Sequence, residues 1–67
     1  MAKIQLNGKE VVFKNKYSIL DLLKKYKLSN KKVAIECNGE IISKESFKKR
    51  YLKDNDIIEI VNFIGGG

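Results

Sequence analysis

Lys3-Ile4-Gln5-Leu6-Asn7-Gly8-Lys9-Glu10-Val11-Val12-Phe13 decides the architecture of this 67-residue chain. Polar and apolar residues alternate up to Asn7-Gly8, and an apolar run follows. Both turn residues accept the positive φ of a type I′ turn, so the stretch predicts an antiparallel hairpin. Outward from it, Ser18 can cap a helix. Asp21 completes a shortened capping box and suits the positive end of the helix dipole. Ile19, Leu22, Leu23 and Tyr26 recur at helical spacing, which predicts one buried face and leaves Lys24 and Lys25 toward solvent.

After the polar break Ser29-Asn30-Lys31-Lys32, the run Val33-Ala34-Ile35-Glu36-Cys37 reads as a third strand. Asn38-Gly39 turns it into Glu40-Ile41-Ile42, a second hairpin. Residues 43–51 suit a short, mostly exposed helix or turn anchored through Phe47 and Leu52. Asp54-Asn55-Asp56 marks a tight turn in which Asn55 tolerates the left-handed conformation, and a last strand runs from Ile57 to about Phe63.

Strand, strand, helix, strand, short strand, strand is the order of an α+β fold, the ubiquitin-like β-grasp. A mixed sheet of about five strands packs on one main helix, with the first and last strands adjacent and parallel at its centre. The expected organisation is one domain over residues 1–63 and a flexible glycine C-terminal tail over 64–67. Alternation sends Ile4, Leu6, Ile58 and Ile60 toward the helix, with Ile35 or Val33. Ile57, Val61 and Phe63 then point to the opposite face. An uncovered apolar face beside the tail predicts partner docking, the alternative being that long side chains or residues 43–51 cover part of it.

Composition narrows the chemistry. A single domain of this size rarely encloses a deep cleft. One cysteine and no histidine exclude an intramolecular disulfide, a Cys/His metal cluster and the usual nucleophile–base pairs, so neither a metal site nor a catalytic residue is expected. No apolar stretch nears the ~20 residues of a membrane span and the N-terminus lacks a signal-peptide core, which points to no membrane association and a cytoplasmic protein. The net charge of +6 raises the question of nucleic acid, yet 13 of the 14 basic residues are lysine and only Arg50 offers a guanidinium fork. Tyr17, Tyr26 and Tyr51 do not alternate along one strand, so no base-stacking platform is evident and no nucleic-acid partner is expected. The lysines are instead expected to speed docking to acidic partner surfaces.

The remaining chemical handle is the end of the sequence, Gly65-Gly66-Gly67. Glycine has no Cβ and lets backbone approach another surface closely. Residues 64–67 can extend about 14 Å at ~3.3–3.6 Å each, enough to thread a narrow active site while the folded body stays at its mouth. Gly67 would carry the reacting carboxylate, with Gly65 and Gly66 giving it passage. Cys37 is the competing sulfur site, and its mid-strand position favours a small buried apolar residue over a persulfide or redox role.

Several stretches together resemble the ThiS family over the whole chain: Ile4-Gln5-Leu6-Asn7-Gly8; Ser18-Ile19-Leu20-Asp21-Leu22-Leu23; Val33-Ala34-Ile35-Glu36, then Asn38-Gly39-Glu40-Ile41-Ile42; Asp54-Asn55-Asp56-Ile57-Ile58-Glu59-Ile60; and the glycine end. Two departures stand out: Asn55 replaces a frequent glycine, and Lys44 stands where an arginine is common and cannot reproduce a bidentate contact. The resemblance implies a non-enzymatic sulfur carrier of thiamine biosynthesis. A ubiquitin-activating-type adenylating enzyme uses ATP to adenylate the C-terminal glycine, a sulfur-donor system converts it to a covalent thiocarboxylate, and thiazole synthase consumes the sulfur. No bound cofactor is implied. The alternatives are a related carrier for molybdopterin synthesis, a ubiquitin-like protein modifier, and a small basic nucleic-acid-binding module.

Overall fold

The computed structural model describes residues 1–29 and 31–62, the last by its backbone alone. In it, β1 (Ala2–Leu6) and β2 (Lys9–Phe13) form the expected hairpin, followed by α1 (Ile19–Lys25), β3 (Val33–Cys37), β4 (Glu40–Ile42), a short 3-10 turn (Lys44–Ser46) and β5 (Ile57–Asn62). The sheet order is β2-β1-β5-β3-β4. β5 lies parallel to β1, through Gln5↔Ile57 and Leu6↔Ile58, and antiparallel to β3 from Val33↔Asn62 to Cys37↔Ile58. The C-terminal strand is therefore central, held along both edges at its start and along β3 to Asn62.

The turns form for the reasons their residues suggest. Asn7 and Gly8 have φ of 49° and 83°, Asn38 and Gly39 have 54° and 85°, and Asn55 has 73°. All lie in the left-handed region that Asn and Gly enter most easily. Asp54 Oδ1 accepts the Lys3 N–H at 2.8 Å, and the Lys3 carbonyl accepts the Asn55 N–H at 2.7 Å, tying the last turn to the first strand.

One face of the sheet is covered. Ala2, Ile4, Phe13, Val33, Ile35, Cys37 and Ile58 are buried beneath Ile19, Leu22 and Leu23 of α1, with Leu6, Ile42 and Ile60 packed against them. Ile35 and Val33 thus both join the core. Residues 43–52 contribute buried Phe47 and Leu52 and, with them, the helix's missing hydrogen-bond partners. The N–H of Ile19 donates to the Arg50 carbonyl at 2.9 Å and that of Leu20 to the Phe47 carbonyl at 3.0 Å. Ser18 Oγ accepts the Asp21 N–H at 3.1 Å, Asp21 Oδ2 accepts the Ser18 N–H at 3.0 Å, and the Ser18 carbonyl accepts the Leu22 N–H. All four orphan donors of the first turn are satisfied. The Ser18 N–H bond also holds the Asp21 carboxyl below its ordinary pKa of 3.8.

The far end of α1 departs from the expected pattern. Tyr26 is not a buried residue of the apolar stripe: the helix stops at Lys25, and Tyr26 is 43% exposed. Lys27 enters the left-handed region at φ 58°, the Lys27 N–H bonds the Lys24 carbonyl and the Leu28 N–H reaches the Leu23 carbonyl. This is a Schellman ending with lysine in the position where glycine is common. Leu28 turns back onto the core in Tyr26's place.

Candidate functional site

The candidate site is the other sheet face together with β5, the strand that leads to the glycines. Strand alternation puts Ile57, Glu59 and Val61 of β5 there, opposite the buried Ile58. Ile57 is 49% exposed and Val61 56%. Neither the 3-10 turn nor α1 covers them, because both pack on the opposite face. Phe63, Gly65, Gly66 and Gly67, and the predicted tail over 64–67, lie outside the described residues.

Two further apolar side chains extend this face beyond the expected set. Ile41 of β4 is 70% exposed and Val12 of β2 is 48% exposed. Ile41 was detectable in principle, since adjacent isoleucines in a strand, Ile41 and Ile42, must face opposite sides. The charges on the face run against the lysine-rich composition. Register places Glu36 of β3 beside Glu59 of β5 and beside Ile41 of β4. Like charges directly opposite each other are mildly destabilising, and among the described residues neither carboxylate has an ion-pair partner.

The strand is also gripped by two side chains. At its start, Asn38 Oδ1 accepts the Ile57 N–H at 2.8 Å and Asn38 Nδ2 donates to buried Asp56 at 2.9 Å. Asp56 in turn accepts the Lys53 N–H at 2.8 Å. Three residues further on, Asn7 Oδ1 accepts the Ile60 N–H at 2.7 Å and Asn7 Nδ2 donates to the Ile60 carbonyl at 3.4 Å. The conformational reading of the two Asn-Gly turns did not anticipate these contacts, because it used only the backbone preference of asparagine.

Cys37 is buried, and its sulfur accepts from Arg50 Nη2 at 3.0 Å and from Asn38 Nδ2 at 3.6 Å. The contact with Cys37 is the main reason the Arg50 guanidinium is held more basic than usual. The one fork-shaped cation of the chain is thus turned onto the cysteine. Lys44 is exposed and donates to the Lys31 carbonyl at 3.0 Å. Among the described residues no group of three or more His, Cys, Asp or Glu is placed to hold a metal, and no helix is long and apolar enough to cross a membrane.

Comparison with known proteins gives this geometry its context. The ThiS family model matches residues 2–67. The chain belongs to the ThiS family. A sulfur carrier protein ThiS of Bacillus subtilis is 52% identical over 65 residues, covering 96% of this chain and 98% of that protein. A thiazole synthase of Paramagnetospirillum magneticum is 40% identical over 65 residues, which span 97% of this chain but 20% of that larger protein. The crystal structure of a thiamine biosynthesis protein (ThiS) from Geobacter metallireducens superposes with a TM-score of 0.79 at 31% identity, covering 97% of this chain and 99% of that one. Family membership and the superposition agree with the β-grasp expected from the element order.

Proposed function

We propose that this protein is a sulfur carrier of thiamine biosynthesis, working through the carboxylate of Gly67. The observation that carries the reading is full-length membership of the ThiS family, joined to a fold whose central strand runs toward Gly65-Gly66-Gly67. The resemblance to a segment of a thiazole synthase supports thiazole formation as the destination of the sulfur.

The chemistry needs little from this chain. A carboxylate is a poor acyl donor because its leaving group would be oxide. Attack of the Gly67 carboxylate on the α-phosphorus of ATP releases pyrophosphate and leaves an acyl-adenylate. Sulfide delivered by a donor system then attacks the carbonyl carbon and displaces AMP, leaving the thiocarboxylate. ATP and the activating groups belong to the adenylating enzyme, so the protein itself acts as a carrier rather than a catalyst and binds no cofactor of its own. Gly65 and Gly66 give the tail a backbone narrow enough to thread the enzyme. Ile57, Val61 and Phe63 form the docking surface, extended by Ile41, and the Glu36–Glu59 pair favours a partner that brings a basic group to the same patch. The compartment that fits these partners is the cytoplasm.

Mass spectrometry tests the reading. Incubated with its adenylating enzyme, ATP and a sulfur donor, the protein is expected to gain the mass of one sulfur-for-oxygen exchange, located at Gly67. Deleting Gly67 abolishes the gain while Cys37→Ala retains it. Sulfur recovered on Cys37, or full activity in a protein extended beyond Gly67, overturns the proposal.

A further inference from the structure

Along one edge of β5, pairing with β3 continues to Asn62. Along the other edge, β1 accompanies it only as far as Leu6↔Ile58. The Gln5 N–H reaches the Asp56 carbonyl and the Asn7 N–H the Ile58 carbonyl, each at 2.9 Å. In a continuing parallel ladder the Ile60 N–H would next donate to the backbone carbonyl of residue 7. At Asn7, however, the main chain has turned away with φ 49°. The carboxamide takes over, its oxygen 2.7 Å from the Ile60 nitrogen and its nitrogen 3.4 Å from the Ile60 carbonyl oxygen.

Turn geometry favours asparagine at this position but does not require it. Glycine or aspartate also serves at the first position of a type I′ turn. Of the residues that favour this turn position, asparagine alone offers an acceptor and a donor together to one residue's N–H and C=O. Among the described residues, the one so held is the last fixed from the β1 side. The seven residues from Val61 to Gly67 can span at most about 23–25 Å, so the direction in which the chain leaves Ile60 sets the region the terminus can reach. Misplacement by about 1 Å is already costly for a reacting group.

We propose that Asn7 is a positioning residue for the C-terminal tail: among the described residues its carboxamide forms the last rung on the β1 side of β5, and it so sets the direction in which the chain leads Gly67 toward the adenylating site. The inference rests on the reading of Gly67 as the reacting end. It also predicts behaviour of the free protein that does not depend on that reading.

The test compares wild type with Asn7→Gly, which keeps the turn and removes both bonds, and Asn7→Asp, which keeps only the acceptor. In the free protein, amide exchange at Ile60 should quicken about tenfold in Asn7→Gly and less in Asn7→Asp, as expected for loss of one hydrogen bond's worth of local stability. Nitrogen relaxation should report greater motion in the residues after Ile60. In ATP–pyrophosphate exchange with the adenylating enzyme, kcat should fall about tenfold in Asn7→Gly while Kd stays within about twofold, because the docking face is untouched. Unchanged exchange at Ile60, or a folded Asn7→Gly with normal kcat, overturns the inference. So does a loss confined to Kd. If Asn7→Gly does not fold, Asn7→Asp decides by the same criteria, with a smaller effect. A wild-type protein that is not adenylated at Gly67 instead overturns the reading of the terminus, and Ile60 exchange then decides alone whether Asn7 holds the strand.

Discussion

The two faces of the sheet are built from the same strands and nearly the same kinds of residue, yet they have opposite fates. On one, Ile4, Ile35 and Ile58 are buried beneath α1 and residues 43–52. On the other, Ile57 and Val61 stand about half exposed on the same strand as Ile58. The difference lies in the connections. Helix α1, seven residues and about two turns long, and the Phe47 segment lock to each other through Ile19, Leu20 and Ser18, so both cover one side and nothing among the described residues covers the other. Burial on the first face stabilises the fold, and the apolar surface on the second is available to a partner.

The comparison breaks most visibly at Phe47. Phe47→Ala should remove about 3–5 kcal/mol of folding stability, a large share of the ~5–15 kcal/mol typical of a whole domain. Urea unfolding measures the loss. A drop below about 1 kcal/mol would mean that the 43–52 segment is not part of the core.

On the bare face the signs should reverse. Ile57→Ala and Val61→Ala are expected to move stability by no more than about 0.5–1 kcal/mol, as exposed substitutions do. Together with Phe63→Ala they should weaken binding to the adenylating enzyme by roughly 2 kcal/mol if the patch fills a partner pocket, about thirtyfold in Kd. Paired melting and calorimetric binding measurements decide between the faces. A large fall in Tm at unchanged affinity would make this a second core and end the docking proposal.

The smallest effect concerns the covering helix itself. Lys27→Gly relieves a left-handed lysine, which costs roughly 1–2 kcal/mol, against the ~0.5–1 kcal/mol of extra chain entropy that glycine brings to the unfolded state. A net gain of about 0.5–1 kcal/mol is expected, seen as a modest rise in Tm with affinity for the partner unchanged. A lower Tm would show that the lysine side chain contributes more than its backbone conformation costs.

The sequence by itself determined the features that depend on a few neighbouring residues. The Asn7-Gly8 and Asn38-Gly39 turns, the Ser18/Asp21 cap and the alternation of β1, β3 and β5 each follow from local backbone preference or from a period of two. Element order then leaves few topologies, which is why the central parallel pairing of β1 and β5 could be read before any coordinate. The tertiary structure decided what those same residues touch. Asn7 lies 53 residues from its partner Ile60, Asn38 19 from Ile57 and Arg50 13 from the sulfur of Cys37. No propensity or spacing encodes such partners, because they exist only once separate segments have been packed together. Lys27 shows the same limit at short range: its positive φ is imposed by Leu28 returning to the core, a packing demand strong enough to override the lysine's own backbone preference.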